Sequence, residues 1–155
     1  KSGFDFVFVE ADGSRGLPLK VPGLGEPVLP PGAGTVLGLI GLDCLGSRVL
    51  AGAVHRPEGF EALGLDLGRV LGPEELAIVA GHPLGLFKDV PPGARKLVLL
   101  NKADLVSEAQ ARDLAALLAG LPGIDAVGIW GRGSGPASLL EGAVVYSRLP
   151  KESAP

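Results

Sequence analysis

The chain has 155 residues, 46% of them hydrophobic, and carries a net charge of −3. This composition excludes a disordered chain, and the lack of any basic run argues against general binding to nucleic acid. No apolar run reaches membrane-spanning length, and the single cysteine, Cys44, excludes an intrachain disulfide and favours a reducing, cytoplasmic location. One domain, residues 1–155, is the expectation for this length.

The first predicted element is a strand over residues 4–9, an apolar run followed by Glu10 and Asp12. Both carboxylates would point the same way if the strand continued that far, because side chains alternate between faces. Two carboxylates at a strand's carboxyl end suit Mg²⁺, bound directly or through water. Glu10-x-x-Gly13 also resembles the acidic motif of metal-insertion GTPases of the P-loop class. We predict Glu10 and Asp12 as metal ligands and catalytic residues; the alternative is that they only cap a strand and solvate a loop.

A Gly/Pro-rich stretch over residues 16–34 follows, and its prolines exclude a helix and most central strands. Arg15 and Lys20 could reach a phosphate or an acidic substrate there, although such charges are often only solvated. The next strand is predicted over 35–42 and ends before Cys44. We expect burial of that thiol as a small apolar group and not catalysis.

His55 and Arg56 precede Pro57, a residue that suits the first turn of a helix. The two side chains would then lie at a helix entrance, where anions bind. His55 could act as a general base or a metal ligand, and the alternative is a local structural hydrogen bond. A further helix is predicted over 73–81, with His82 at its end. The histidines and the cysteine form no zinc pattern.

The most informative motif is Asn101-Lys102-Ala103-Asp104, which contains the only asparagine of the chain and follows a predicted buried strand over 97–100. The Asp104 carboxylate could accept both N–H donors of a guanine edge. The Asn101 amide could donate to the acceptor edge of guanine or tie the loop down, and the aliphatic stem of Lys102 could lie along the flat base. The alternative is a polar loop that only caps a helix.

The order of elements after this motif fits an open α/β sheet. Ser107 and Gln110 form a capping box that opens a helix over 108–119, and a strand is predicted over 124–130. The helix carries an apolar stripe of Leu114, Leu117, Leu118 and Leu121. The turn Gly131-Arg132-Gly133 would bring a backbone N–H near a base. Ligands bind outside the carboxyl ends of strands in such sheets.

No Gly-x-x-x-x-Gly-Lys-[Ser/Thr] phosphate loop occurs in the chain, and there is no methionine. We therefore expect that residue 1 is not the natural start and that a strand–loop–helix unit precedes it. The predicted fold is α/β, a mostly parallel sheet flanked by helices. It is P-loop NTPase-like but lacks the amino-terminal phosphate-loop unit, as the carboxyl-terminal portion of a longer protein would.

Several segments together resemble the YqeC-type family across about residues 4–105: Val9–Lys20, Glu26–Val28, Gly41–Asp43, Val54–Glu58 and Leu100–Asp104. Members are expected to be accessory proteins of selenium-dependent molybdenum hydroxylases. The resemblance implies a P-loop protein that binds GTP or ATP with Mg²⁺ and helps to mature or insert a selenium-containing molybdenum cofactor. It also favours His55 and Arg56 as site residues.

The function expected from these observations is nucleotide binding, with GTP favoured and NTP hydrolysis by the full-length protein. Asn101, Lys102 and Asp104 would contact the base, and His55, Arg15, Lys20 and Arg56 would contact phosphate or a cofactor-like anion. Expected partners are the nucleotide, the molybdenum cofactor or a client hydroxylase. Two alternatives stay open: a kinase or nucleotidyl transferase with His55 or Glu10 as base, and a non-catalytic scaffold or chaperone.

Overall fold

A computed structural model describes residues 5–131 and the strand at 145–147. The helices are α1 (Gly59–Ala62), α2 (Pro73–Gly81) and α3 (Glu108–Ala119). The strands are β1 (Leu19–Lys20), β2 (Thr35–Gly41), β3 (Val54–His55), β4 (Arg95–Asn101), β5 (Ala126–Ile129) and β6 (Val145–Ser147). Short 3-10 turns occur at Leu42–Cys44, Val49–Ala51 and Ala103–Leu105.

Four strands form the main sheet in the order β2-β4-β5-β6. β2, β4 and β5 run parallel, whereas β6 pairs antiparallel with β5. β1 and β3 form a separate parallel pair. The predicted α/β fold with a mostly parallel sheet and flanking helices is therefore confirmed. Because parallel strands end at the same edge, the segments that follow β2, β4 and β5 lie close together.

The core lies between the main sheet and the helices. Ile40, Val98, Leu100 and Val127 point from the strands into one cluster with apolar residues of α2 and α3, all nearly or fully inaccessible to solvent. These positions alternate along the strands, as expected when one face of a sheet is packed.

The predicted starts of α2 and α3 are confirmed. α2 begins at Pro73, where the carboxylate of buried Glu75 accepts from Gly72 N at 3.0 Å. In α3, Ser107 Oγ accepts from Gln110 N at 3.2 Å and Gln110 Oε1 accepts from Ser107 N at 3.0 Å. Each bond satisfies a backbone N–H that has no partner within the helix.

The apolar stripe of α3 is narrower than predicted. Leu114 and Leu118 are buried and Leu121 packs against the core, but Leu117 is 42% exposed. Leu117 lies three residues after Leu114 yet one residue before Leu118, so it falls at the margin of the packed stripe, where the core no longer covers it.

The predicted strand over residues 4–9 is wrong for the residues described, 5–9. These residues have no regular secondary structure, and Phe6 and Phe8 are 81% and 95% exposed. These two aromatic side chains therefore lie outside the core, whereas Phe60 and Phe87 are buried. The physical reason is that no described strand pairs with the segment, so its backbone has no ladder to join. Consequently Glu10 and Asp12 do not share the face of a strand.

The helix predicted to begin at Pro57 is displaced and short. α1 starts at Gly59 and has only four residues. His55 instead ends β3, and Arg56 adopts a left-handed conformation with φ 61°. These two residues therefore precede a helix, as predicted, and Gly59 N donates to Arg56 O at 3.0 Å, but the helix has a single turn. Among the described residues, no helix is long and apolar enough to span a membrane.

Candidate functional site

The Asn101–Asp104 loop lies at the carboxyl end of β4, between the ends of β2 and β5. Asn101 is in register with Gly41 of β2. On the other side, Trp130 N donates to Leu100 O at 2.8 Å, and Ala103 N donates to Trp130 O at 2.9 Å. The loop is thus fixed from both neighbouring strands at the edge of the sheet where α/β proteins bind ligands.

Asn101 and Lys102 have defined roles within this loop. Lys102 adopts a left-handed conformation with φ 59°, and its backbone N–H donates to Asn101 Oδ1 at 2.8 Å. The asparagine therefore ties the loop down through its oxygen, one of the two predicted roles, and its amide nitrogen is still a donor. A left-handed conformation is uncommon for a lysine, and it turns the chain sharply after the strand.

The ammonium group of Lys102 is held by Asp43, which was not predicted as a site residue although it belongs to one of the segments that carry the family resemblance. Lys102 Nζ donates to Asp43 Oδ2 at 2.6 Å, and both side chains are partly exposed. This contact stretches the aliphatic stem of Lys102 from the end of β4 towards the end of β2. The available signal was that Asp43 follows β2 just as Lys102 follows β4, so adjacent parallel strands bring both to one edge.

Asp104 is exposed at this edge and lies against the backbone of Gly131. A Cβ atom on Gly131 would lie 2.9 Å from Asp104 N and 3.3 Å from Asp104 Oδ1. The close approach leaves no room for a side chain at position 131, so the carboxylate lies beside bare backbone. Arg132 and Gly133, which were also expected near a base, lie outside the described residues.

The two residues of the predicted acidic pair, Glu10 and Asp12, differ in their contacts. Asp12 pairs with Lys20, which also donates to Gly13 O at 3.1 Å. Glu10 is exposed and makes no hydrogen bond or ion pair within the described part of the chain. Among the residues described, no three His, Cys, Asp or Glu side chains are placed to hold a metal ion.

Glu26 is the centre of an ion-pair network that ties the Gly/Pro-rich loop together. Its carboxylate lies 2.8 Å from Lys20 Nζ and 3.1 Å from Arg56 Nη2. The hydrogen bond from Lys20 and then that from the Gly23 N–H hold the pKa of Glu26 below its ordinary value. Lys88 completes the network by donating to the carbonyl oxygens of Gly23 at 2.8 Å and Glu26 at 2.9 Å.

This network places two of the predicted anion ligands, Lys20 and Arg56, beside a carboxylate of the chain itself. Arg15 is exposed, with φ 54°, and makes no ion pair within the described residues. Glu26 and Lys88 were not predicted as site residues, although Glu26 belongs to one of the segments that carry the family resemblance. No sequence pattern identified Lys88, because it reaches the loop from more than 60 residues away.

His55 lies next to this network. It is in register with Lys20 in the β1–β3 pair, and its partly buried imidazole makes no hydrogen bond to any described residue. The local structural hydrogen bond considered as the alternative is therefore not formed within this part of the chain.

The ion-pair network around Glu26 and the Asn101–Asp104 loop lie at the same edge of the sheet. Gly41 N donates to Pro18 O at 2.8 Å, and a Cβ on Gly41 would lie 2.8 Å from Pro18 Cβ. The chain between Asp12 and Lys20 therefore passes directly over the carboxyl end of β2. The structure brings the two groups of predicted residues to neighbouring positions along one edge.

Two other features lie apart from this arrangement. Cys44 is buried as expected, and loss of hydration raises the pKa of its thiol to about 12, which leaves almost no thiolate at neutral pH. A shallow hollow of about 270 Å³ lies at the opposite edge of the sheet, near Lys96 at the start of β4. None of the predicted site residues lines that hollow.

Comparison with known proteins gives a family and one curated relative. The family model described as "YqeC protein" matches residues 1–58. The "Uncharacterized protein YqeC" of Escherichia coli (strain K12) is 36% identical over 127 residues, which cover 81% of this chain and 49% of that protein. The chain thus spans about half the length of this relative. No solved structure matches the chain. On this evidence the chain belongs to the YqeC family.

Proposed function

We propose that the full-length protein binds a guanine nucleotide at the carboxyl edge of the main sheet. The observation that carries this proposal is the Asn101–Asp104 loop, anchored by Trp130 and Asp43 on its two sides, with Asp104 exposed beside the bare backbone of Gly131. A polar loop that only capped α3 would need none of these cross-strand contacts, because Ser107 and Gln110 already cap that helix.

In this proposal Asp104 accepts the two N–H donors of the guanine edge, which adenine does not offer as a pair. The stem of Lys102, stretched towards Asp43, gives the flat base an apolar surface to lie on. The Asn101 amide nitrogen donates to the acceptor edge while its oxygen keeps the loop closed. Selectivity for guanine follows because another base would leave the Asp104 carboxylate without its donors.

The phosphate side is proposed to use residues over the end of β2. Lys20, Arg56 and Arg15 provide positive charge, and Glu10 with Asp12 would hold Mg²⁺ together with the nucleotide phosphates. For this, Asp12 and Glu26 must release Lys20 when an anion arrives. Bound Mg²⁺ would neutralise charge on the phosphates, and His55 or Glu10 would take the proton of an attacking water. We also propose that the full-length protein is related to the P-loop NTPases.

The biological role proposed for the whole protein is maturation or insertion of a selenium-containing molybdenum cofactor, with the cofactor or a client hydroxylase as partner. This part rests on the family resemblance.

A non-catalytic scaffold or chaperone is the second candidate. It is favoured by the neutralisation of Lys20 and Arg56 by Glu26, which is the arrangement expected of structural ion pairs. The two candidates differ in turnover. An NTPase should lose Mg²⁺-dependent hydrolysis on Glu10→Gln in the full-length protein, whereas a scaffold should show no hydrolysis with either residue.

The test of base recognition is Asp104→Asn in the full-length protein, with Kd measured for GTP and XTP. The wild type should prefer GTP, and the variant should prefer XTP, because an amide can donate to the carbonyl that replaces the guanine amine. The expected change in the ratio is roughly two orders of magnitude or more. Asp113→Asn, an exposed substitution on α3, is the matched control and should leave the ratio unchanged. Equal GTP affinity in wild type and Asp104→Asn would remove Asp104 from the site.

A further inference from the structure

The hollow beside Lys96 has the composition of a small ligand site. It has a volume of about 270 Å³ and lies among the end of α2, the start of β4 and the turn that precedes β5. The buried side chains of Ala80, Phe87 and Ile124 belong to its lining. Ligand sites are typically apolar with a few polar groups that fix the ligand, and they measure roughly 300–1,000 Å³ for drug-sized molecules. An occupant of this hollow would therefore be small, and the polar groups of the lining indicate its charge.

Two hydrogen-bond donors that line the hollow have no partner in the described part of the chain. Lys96 is half-buried, and its side chain makes no ion pair or hydrogen bond with a described residue. Its ammonium nitrogen lies 6.0 Å from the centre of the Phe87 ring. His82 Nδ1 accepts from Leu84 N at 3.1 Å, so the proton of the neutral imidazole is on Nε2. An ammonium group and an imidazole N–H are thus both left to bind an acceptor.

The acceptors around the hollow are occupied to a greater extent. The Asp89 carboxylate lies 3.5 Å from Lys88 Nζ. At the end of α2, Ile78 O accepts from His82 N at 2.9 Å and Val79 O accepts from Leu86 N at 2.8 Å. The hollow therefore offers donors to a ligand more readily than acceptors, and this difference favours an anion.

We propose that the hollow binds a small monocarboxylate with an apolar body. The carboxylate would accept from the Lys96 ammonium and from His82 Nε2–H, and the apolar body would lie against Phe87 and Ile124. One ammonium group matches a single negative charge, whereas a phosphate dianion would carry excess charge close to Asp89. The hollow lies at the opposite edge of the sheet from the Asn101–Asp104 loop, so this inference does not depend on nucleotide binding.

The chain that follows β6 is the alternative occupant. Ser147 is in register with Ala126, two residues after Ile124 of the hollow. The first charged residues beyond it are the cations Arg148 and Lys151. Like charges repel, so these residues match Lys96 less well than a carboxylate does.

The experiment is a titration of the ¹⁵N-labelled full-length protein with three compounds of similar shape, followed through amide chemical shifts. Benzoate carries a negative charge, benzamide none and benzamidine a positive charge. Benzoate should shift the amides of Phe87, Lys96 and Ile124 with a Kd of about 10 mM or tighter. Benzamide should bind at least about tenfold more weakly, and benzamidine more weakly still. The absence of saturable shifts at these amides, or equal affinity for benzoate and benzamidine, would overturn the proposal.

A substitution at Lys96 provides the second measurement. In the full-length protein, Lys96→Gln should weaken benzoate binding by about tenfold or more and leave benzamide binding unchanged, because only the charge is removed. Lys96→Met serves if the glutamine variant does not fold. Arg95→Gln, at the exposed neighbouring position of β4, is the control and should leave both affinities unchanged. Unchanged benzoate affinity in the Lys96 variant would overturn the proposal. Benzoate binding that appears only after deletion of residues 148–155 would overturn it too, because it would identify the chain itself as the occupant.

Discussion

The two parts of the candidate site are held in place by different forces. The Asn101–Asp104 loop is fixed by backbone hydrogen bonds to Trp130 and by the register of β4 with its neighbours. The segment from Asp12 to Glu26 is fixed largely by side-chain contacts: Lys20 and Arg56 form ion pairs with the Glu26 carboxylate, and Lys88 donates to the Glu26 carbonyl oxygen. The first arrangement is part of the sheet and should persist without ligand. The second depends on side chains that an incoming anion can attract away, so it is the part expected to rearrange.

The largest effect should come from weakening the sheet under the loop. Leu100 is fully buried and directly precedes Asn101. Leu100→Ala should reduce the free energy of unfolding by about 2–5 kcal/mol, through lost burial and the cavity left behind. Urea denaturation followed by circular dichroism measures this change. Leu105→Ala, at a position that is 61% exposed just after the loop, should change stability by less than about 0.5 kcal/mol. Similar losses in both variants would mean that the loop is not supported by the core.

The same contrast explains what the sequence could predict. β4, the capping box of α3 and β5 were all expected, because each is signalled by residues within a few positions of one another. Once those elements are in order, the Asn101–Asp104 motif lies at the carboxyl edge of the sheet. Asp43 could not be identified as the partner of Lys102, because that contact joins residues 59 positions apart.

On the amino-terminal side the sequence was less informative. An apolar run at residues 4–9 is a correct signal for a strand only if a neighbouring strand is present, and none of those described pairs with it. The ion pairs around Glu26 come from residues up to 30 positions away, and Lys88 lies farther still. Charge alone made Lys20 and Arg56 candidates for anion binding, but only the fold could show that a carboxylate already lies between them.

An intermediate effect is expected where the loop meets β5. Gly131→Ala adds a Cβ 2.9 Å from the backbone nitrogen of Asp104, and backbone cannot move aside as a flexible side chain can. We expect a loss of stability of about 1–3 kcal/mol and a displaced loop. Chemical shifts of the Ala103 and Asp104 amides, together with thermal unfolding, report both changes. Gly32→Ala, where an added Cβ would meet nothing within 4 Å, is the matched control. Unchanged shifts in the Gly131 variant would mean that β5 does not set the position of Asp104.

The smallest effect at neutral pH should come from the ion-pair region. Glu26→Gln removes the charge between Lys20 and Arg56, and partly exposed ion pairs contribute little to stability. The pKa of Glu26 in the folded protein is lowered from its ordinary value of 4.5, mainly by the hydrogen bond from Lys20. The charged form thus stabilises the fold above that value, and this contribution is lost as the pH falls through the lowered pKa.

Thermal unfolding of both proteins between pH 3 and pH 7 tests this sign. The wild type should be the more stable protein above about pH 5, and the difference should shrink as the solution is acidified. Glu74→Gln, at an exposed position with no ion pair in the described part of the chain, should leave the pH profile unchanged. The Glu26 variant should also bind sulfate or phosphate more tightly, because Arg56 is then released to an external anion and Lys20 keeps Asp12 as its carboxylate partner. Unaltered anion affinity would mean that Lys20 and Arg56 serve only to fix the loop. The segment from Asp12 to Glu26 would then be as fixed as the Asn101–Asp104 loop, and the two parts of the site would no longer differ.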